Sequence, residues 1–166
     1  MPDLLTHALV LYVVLTVASW RIEWLTPSFV TVGMMGAMIP DLTKIKLVVP
    51  SHRVESVLGV PFDWFALHTL GGSLVSVLIG AVLVPSRYRT RVFSLLALGA
   101  TSHLLLDALL INPSGYSYAL FWPLTGYHPP TPGLYLSTDR WPALAAGALA
   151  ALVRLHTRRL RADRGP

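Results

Sequence analysis

The chain has 166 residues, of which 54% are hydrophobic and 13% are charged, with a mean hydropathy of +0.59 and a formal net charge of +5. An average soluble domain carries about twice that share of charged residues, because its water-facing surface is polar. The composition therefore excludes an intrinsically disordered chain and favours a membrane protein. A soluble protein with a wholly buried helical core is the alternative that composition leaves open. Cysteine is absent, which excludes disulfides and thiolate metal sites.

Five apolar segments predict an all-α, polytopic transmembrane bundle of four to five membrane helices in a single domain. In chain order they are residues 4–20, 27–39, 64–84, 92–111 and 141–155. The third and fourth each have about the 20 residues that a spanning helix requires. The second and fifth are shorter, and would need a thinner membrane or a partly re-entrant course. Residues 112–140 are rich in proline, glycine and tyrosine, which predicts an ordered loop.

Most of the arginines fall at one end of these predicted helices. Because Lys and Arg collect on the cytoplasmic side of membrane proteins, we expect this end to be cytoplasmic and the N-terminus to face outside. The basic tail, residues 156–166, is then expected to lie against anionic lipid headgroups. A nucleic-acid-binding tail is the alternative, but no aromatic residues interleave the arginines, so we expect no nucleic-acid partner.

Ionisable side chains inside or beside the apolar segments are expected at the opposite end of the bundle. They are His7, Asp41, His68, His103 and Asp107. His103 and Asp107 are four residues apart, so one helix face presents both. Three imidazoles and two carboxylates at one level would suit Zn²⁺ first, then Mn²⁺ or Fe²⁺, but not Cu(I). The alternative is a set of His–Asp hydrogen bonds that hold the helices together.

The order and spacing of these residues resemble the YdjM-type family of membrane-bound, metal-dependent hydrolases. The corresponding pieces are Thr6-His7, I-P-D-L at 39–42, F-D-W-F-A-L-H-T at 62–69, H-L-L-L-D at 103–107 and F-W-P-L at 121–124. Two motifs depart from the family pattern. Thr43 stands where the family has a second aspartate. In the H-R-x-x-T-H-S motif the second histidine is kept as His68, whereas the first histidine, the arginine and the threonine are replaced by Asp63, Trp64 and Leu67. His52 with Arg53 is an alternative source of the His-Arg pair, although an ordinary solvated loop also explains them.

The resemblance implies a membrane hydrolase in which the five ionisable residues hold one or two divalent ions. That family looks distantly akin to zinc phospholipase C and zinc-dependent single-strand nucleases, which implies phosphoester hydrolysis, here of a lipid or lipid-linked substrate at the outer leaflet. Asp63 or Asp107 would then be the catalytic carboxylate. The cations expected to bind the substrate phosphate are Lys44, Lys46 and Arg53. A non-catalytic membrane scaffold and a metal or proton transporter are the competing functions.

Overall fold

The computed structural model describes residues 4–162, and this part of the chain is all-α. Its helices are α1 (Leu4–Ala18), α2 (Pro27–Gly36), a first 3₁₀ helix (Pro40–Leu47), α3 (Ser51–Leu58), a second 3₁₀ helix (Trp64–His68), α4 (Leu70–Val82), α5 (Ser86–Ala108) and α6 (Trp141–Ala162). The predicted basic tail is helical as far as Ala162, because α6 continues through it. The rest of that tail, residues 163–166, lies outside the described residues.

The expectation of a polytopic transmembrane bundle is wrong. Between residues 4 and 162, no helix combines the length and the apolar character needed to cross a bilayer. The longest stretches without charge are divided into short helices: α1 has 15 residues and α4 has 13. At 1.5 Å per residue these measure roughly 20 Å, against a hydrocarbon core of about 30 Å. The longer helices α5 and α6 both include several arginines.

The segment predicted as one helix over 64–84 consists of two elements separated at Thr69. This residue has an extended backbone, with φ −119° and ψ 164°, and its hydroxyl accepts a hydrogen bond from the Gly72 backbone N–H. The hydroxyl therefore caps the start of α4. His68 consequently ends a tight 3₁₀ turn, where its side chain is buried, and does not lie on α4.

Helix α5 is the centre of the packing. It contacts α1, α2 and α4, while α6 packs against α1. Two groups of buried side chains form the core. The first, between α1, α2 and α5, includes Leu11, Leu15, Val30 and Leu95, and the second, between α4 and α5, comprises Val77, Val92, Leu96 and Ala100.

The backbones of α2 and α5 touch where both helices have glycine. A Cβ atom added to Gly99 would lie 2.4 Å from the Gly33 carbonyl oxygen and 2.5 Å from the Ala37 nitrogen. A Cβ on Gly36 would lie 2.5 Å from the Leu96 carbonyl oxygen. These positions therefore accept only glycine without a shift of one helix against the other. The close approach also brings the end of α2 against the turn of α5 that follows Gly99, where His103 lies.

We expect Gly99→Ala to destabilise the fold by about 1–3 kcal/mol, because the added methyl group must push α2 away from α5. The matched control is Gly147→Ala on α6, where an added Cβ meets no atom within 4 Å. This control should be neutral or stabilising by up to about 1 kcal/mol, since alanine favours helix over glycine. Thermal unfolding in detergent, followed by circular dichroism, checks both variants. Equal melting temperatures for the two would contradict the close helix contact.

Candidate metal centre

The ionisable side chains singled out in the sequence lie together at one end of the bundle. They come from four elements: His7 from α1, Asp41 from the first 3₁₀ helix, His68 from the second, and His103 with Asp107 from α5. The three imidazoles are 0% exposed, and the two carboxylates are at most 4% exposed. Burial of two carboxylates is costly unless positive charge or hydrogen-bond donors offset them.

Asp107 is at the centre of this cluster. Its Oδ2 atom lies 3.0 Å from His68 Nε2 and 3.4 Å from His103 Nε2. Its Oδ1 atom lies 3.4 Å from His7 Nε2. Within the described residues, neither carboxylate oxygen and none of these three nitrogens has a hydrogen-bond partner. Five buried polar atoms therefore face one another without hydrogen bonds, which is rare in native structures.

Backbone carbonyls determine which ring nitrogens can face Asp107 with a lone pair. Nδ1 of His103 lies 2.7 Å from the Ala37 carbonyl oxygen, and Nδ1 of His68 lies 3.3 Å from that of Pro40. A carbonyl oxygen only accepts hydrogen bonds, so each Nδ1 carries the proton and donates. In the neutral rings, both Nε2 atoms then direct lone pairs toward the carboxylate of Asp107. Lone pairs in this arrangement repel one another unless a cation lies between them.

The cluster has the dimensions of a metal site. His7, His103 and Asp107 form one group of ligand atoms within 4.8 Å of one another, and Asp41, His68 and His103 form another. Zinc bonds of about 2.0–2.1 Å in a tetrahedral arrangement place neighbouring ligand atoms about 3.3 Å apart. The separations of 3.0–3.4 Å around Asp107 agree with this value. These groups are therefore positioned to hold a metal ion.

The protonation states also agree with metal ligation. Burial lowers the pKa of His7, and the nearby His103 acts in the same direction, so this imidazole is neutral near pH 7. The rings of His7 and His103 stack with centroids 3.7 Å apart, a contact that two cationic rings would resist. Burial raises the pKa of Asp107, whereas positive charge or hydrogen bonds donated from the three imidazole positions lower that pKa well below its usual range, so the carboxylate is ionised when positive charge faces it. Neutral imidazoles and an ionised carboxylate are the forms that bind metals.

Lys44 belongs to the cluster through Asp41. Its Nζ atom donates to Asp41 Oδ2 at 2.7 Å, while Asp41 Oδ1 has no hydrogen-bond partner within the described part of the chain. The sequence predicted Lys44 as a substrate-binding cation, but its contact in the structure is this carboxylate. The pair leaves one oxygen of Asp41 available to a metal ion.

The other predicted site residues lie apart from the cluster. Asp63 is exposed and caps the second 3₁₀ helix, with its Oδ1 accepting from the Phe65 backbone N–H at 2.9 Å. Lys46 and Arg53 are exposed, on the first 3₁₀ helix and on α3. A polar cavity reaches the cluster at Asp107, and neither Asp63 nor Lys46 nor Arg53 lines it. His52 is also exposed.

An open cavity of about 240 Å³ reaches the cluster at Asp107. Its polar lining carries no cationic side chain among the described residues and includes Asn112, Ser117, Tyr118, Thr131 and Ser137. Ser117 is 5% exposed, and its Oγ has no hydrogen-bond partner between residues 4 and 162. Sequence reasoning missed Ser117, because a serine in a loop is common and carries no spacing signal.

Two tyrosines attach the loop after α5 to the cluster and to that helix. The ring of Tyr118 meets the ring of His68 edge to face, with centroids 5.3 Å apart, and burial raises the pKa of its phenol. Tyr135 donates from its hydroxyl to the Leu106 carbonyl at 2.5 Å, and burial raises its pKa to about 12. Both phenols are therefore protonated donors at neutral pH. The loop thus lies next to Asp107 and lines the cavity with it.

The chain matches the YdjM inner membrane protein family over residues 1–163 of its 166. It belongs to the YdjM family. This confirms the resemblance seen in the motifs and supports a membrane location. No curated protein and no solved structure matches the chain.

The surface of this YdjM-family protein agrees with a membrane location. Large apolar side chains are exposed along α4, among them Val75, Ile79 and Val82, and in the loop between α5 and α6, among them Leu124 and Leu134. Soluble monomers rarely expose contiguous apolar surface of this kind, and such patches mark membrane or protein contacts.

Metal analysis of the purified protein should show a bound divalent metal that His103→Ala and His68→Ala both lose. Each substitution removes a buried ligand atom, and we expect metal affinity to fall by at least about 100-fold. His52→Ala is the matched control, since His52 is exposed and outside the cluster. Wild-type metal content in both His103→Ala and His68→Ala would contradict the site. Loss of metal from His52→Ala would revive the alternative His52-Arg53 pair.

Proposed function

We propose that this YdjM-family protein is a metal-dependent hydrolase that cleaves phosphoester bonds in a membrane lipid or lipid-linked substrate. The observation that supports it best is the position of Asp107, whose carboxylate contacts three imidazoles and which is one of the residues that line an open polar cavity. A cluster that only held helices together would need no polar cavity beside it. A relay for metal or protons would need ionisable groups through the depth of the bundle.

The donor set fits zinc first, and Mn²⁺ or Fe²⁺ second. Nδ1 of His68 and of His103 is occupied by a carbonyl, so each ring offers only Nε2 as a ligand. His103 belongs to both groups of ligand atoms, and one Nε2 atom serves one ion. We therefore propose a single metal ion held by His103 with two or three of the other four residues, His7, Asp41, His68 and Asp107, which leaves a position open for water. When bound, such an ion lowers the pKa of water and polarises the phosphoryl oxygen.

The chain's own residues would orient the ligands and move a proton. The carbonyls of Ala37 and Pro40 fix the rotation and tautomer of His103 and His68. Lys44 offsets part of the negative charge of Asp41. Asp107 has two unpartnered oxygens, so one can ligate while the other accepts a proton from the attacking water. Asp63 is not assigned this role, because its carboxylate is exposed and caps a helix.

The substrate class follows from the cavity and its surroundings. Hydroxyl and amide groups line the cavity, which suits a polar headgroup next to the scissile phosphate. Exposed apolar side chains lie on the same loop and on the residues that follow α5, including Ile111, Leu134 and Leu136. A lipid whose tails remain in the bilayer could thus present its headgroup to Asp107.

The activity test is release of phosphate or headgroup from phosphatidic acid, glycerophospholipids and lipid pyrophosphates in mixed micelles with zinc. We expect turnover by the wild type and a fall of at least about 100-fold in kcat/KM for Asp107→Asn, which keeps the shape but removes the charge and the proton acceptor. His52→Ala should retain wild-type turnover, as an exposed residue outside the cavity. Bound metal without turnover on any of these substrates would contradict hydrolysis and leave the metal centre intact.

Ser117→Ala tests whether the cavity holds the substrate. The hydroxyl of Ser117 has no partner within the described residues, so it is free to hydrogen bond a headgroup. We expect KM to rise by roughly fivefold to tenfold, the worth of about one hydrogen bond, with kcat and metal content unchanged. An unchanged KM would show that the headgroup does not reach this wall.

A further inference from the structure

A second groove lies at the end of the bundle opposite to the metal cluster. It has a volume of about 420 Å³ and is formed by α1, α2 and α6, with Tyr12, Thr16, Val30, Met34, Arg154 and Arg158 among its lining residues. Thr16 is nine residues beyond His7 on α1, which is about 13 Å along the helix axis. A further groove of about 580 Å³ continues it and shares Ser19, Pro27 and Thr157. This inference does not depend on the proposed hydrolysis.

The two arginines of the groove differ from those at the start of α5. Arg87 and Arg91 lie over aromatic rings, and Arg89 donates to backbone carbonyls. Arg154 and Arg158 make no ion pair, hydrogen bond or ring contact from their side chains with any residue between 4 and 162. They are four residues apart on α6, so both project from one face of that helix. Their guanidinium groups are therefore available to a ligand.

The walls of the groove combine hydroxyl groups with apolar surface. The hydroxyl of Tyr12, which is half-buried, has no hydrogen-bond partner among the residues described. Val30 and Met34 supply an apolar wall from α2. A volume of this size is in the range of sites for small organic ligands. The groove therefore offers two unpaired cations and a neutral donor next to a surface that favours hydrocarbon.

We propose that this groove binds an anionic phospholipid, with its phosphate on Arg154 and Arg158 and the start of an acyl chain against Val30 and Met34. Arginine is suited to this role because its planar fork of N–H groups matches phosphate oxygens in bidentate fashion. Anionic headgroups are the phosphate source at a membrane surface, and the chain belongs to an inner membrane protein family. A free phosphate ion would use the arginines but would leave the apolar wall without a partner.

The test measures lipid binding to the full-length protein in a neutral detergent. Native mass spectrometry counts bound lipids, and thermal unfolding measures stabilisation, with added dioleoyl-phosphatidylglycerol, dioleoyl-phosphatidylcholine or inorganic phosphate. We expect phosphatidylglycerol to bind and to raise the melting temperature, with a clearly smaller effect of phosphatidylcholine and of phosphate. The double variant Arg154→Gln with Arg158→Gln should weaken phosphatidylglycerol binding by about tenfold or more, because two charge-assisted contacts are lost.

Two further variants separate this groove from general attraction of acidic lipid. Arg159→Gln is the matched control, since Arg159 is exposed on the same helix and does not line the groove. It should bind phosphatidylglycerol within about twofold of the wild type, if one exposed charge contributes little. Thr31→Trp fills the groove from an exposed position and leaves both arginines in place, and it should also weaken binding. An equal loss of phosphatidylglycerol binding in Arg159→Gln and in the double variant would overturn the proposal. So would a rise in melting temperature with inorganic phosphate equal to that with phosphatidylglycerol. Wild-type phosphatidylglycerol binding by Thr31→Trp would overturn it as well.

Discussion

The buried carboxylate of Asp107 is the constraint on which the rest of this structure depends. An ionised group without solvent is stable only when positive charge or donors surround it, and here its neighbours are three imidazoles. Two of these rings have their N–H groups directed to backbone carbonyls, so they offer lone pairs and not protons. The arrangement therefore calls for a cation at its centre. Each element that supplies a ligand must be held in place for that cation to be bound.

Two local features of the chain hold those elements in place. The glycine contact between α2 and α5 lets the Ala37 carbonyl reach His103, because any Cβ at Gly99 would separate the helices. The helix break at Thr69 turns the chain so that His68 leaves the line of α4 and enters the cluster. Neither feature contributes a metal ligand, but both determine where the ligand nitrogens point. Backbone packing thus positions the side chains of the candidate metal site.

The two ends of the bundle are chemically different. One end holds buried carboxylates and imidazoles beside a cavity lined by hydroxyl and amide groups. The other end holds exposed arginines beside an apolar groove. Exposed hydrophobic side chains occur on several helices between them, which agrees with the membrane location of the YdjM family. The two proposals, a lipid site at one end and hydrolysis at the other, each rest on one of these chemically distinct ends.

The amino-acid sequence by itself determined the all-α class, the family and the residues of the cluster. The four-residue spacing of His103 and Asp107 predicts a common helix face, and the positions of His7, Asp41 and His68 predict a common level, because both follow from the regular geometry of helices. Only the tertiary structure decided where the helices end, that Lys44 pairs with Asp41, that Asp63 is a cap, and that Ser117 lines a cavity. Hydropathy counts apolar residues but does not register a cap such as Thr69, so it overestimated helix length and predicted membrane spans. Contacts with backbone carbonyls and between distant loops leave no repeating pattern in the sequence. They form only when the chain packs, so only the tertiary structure shows them.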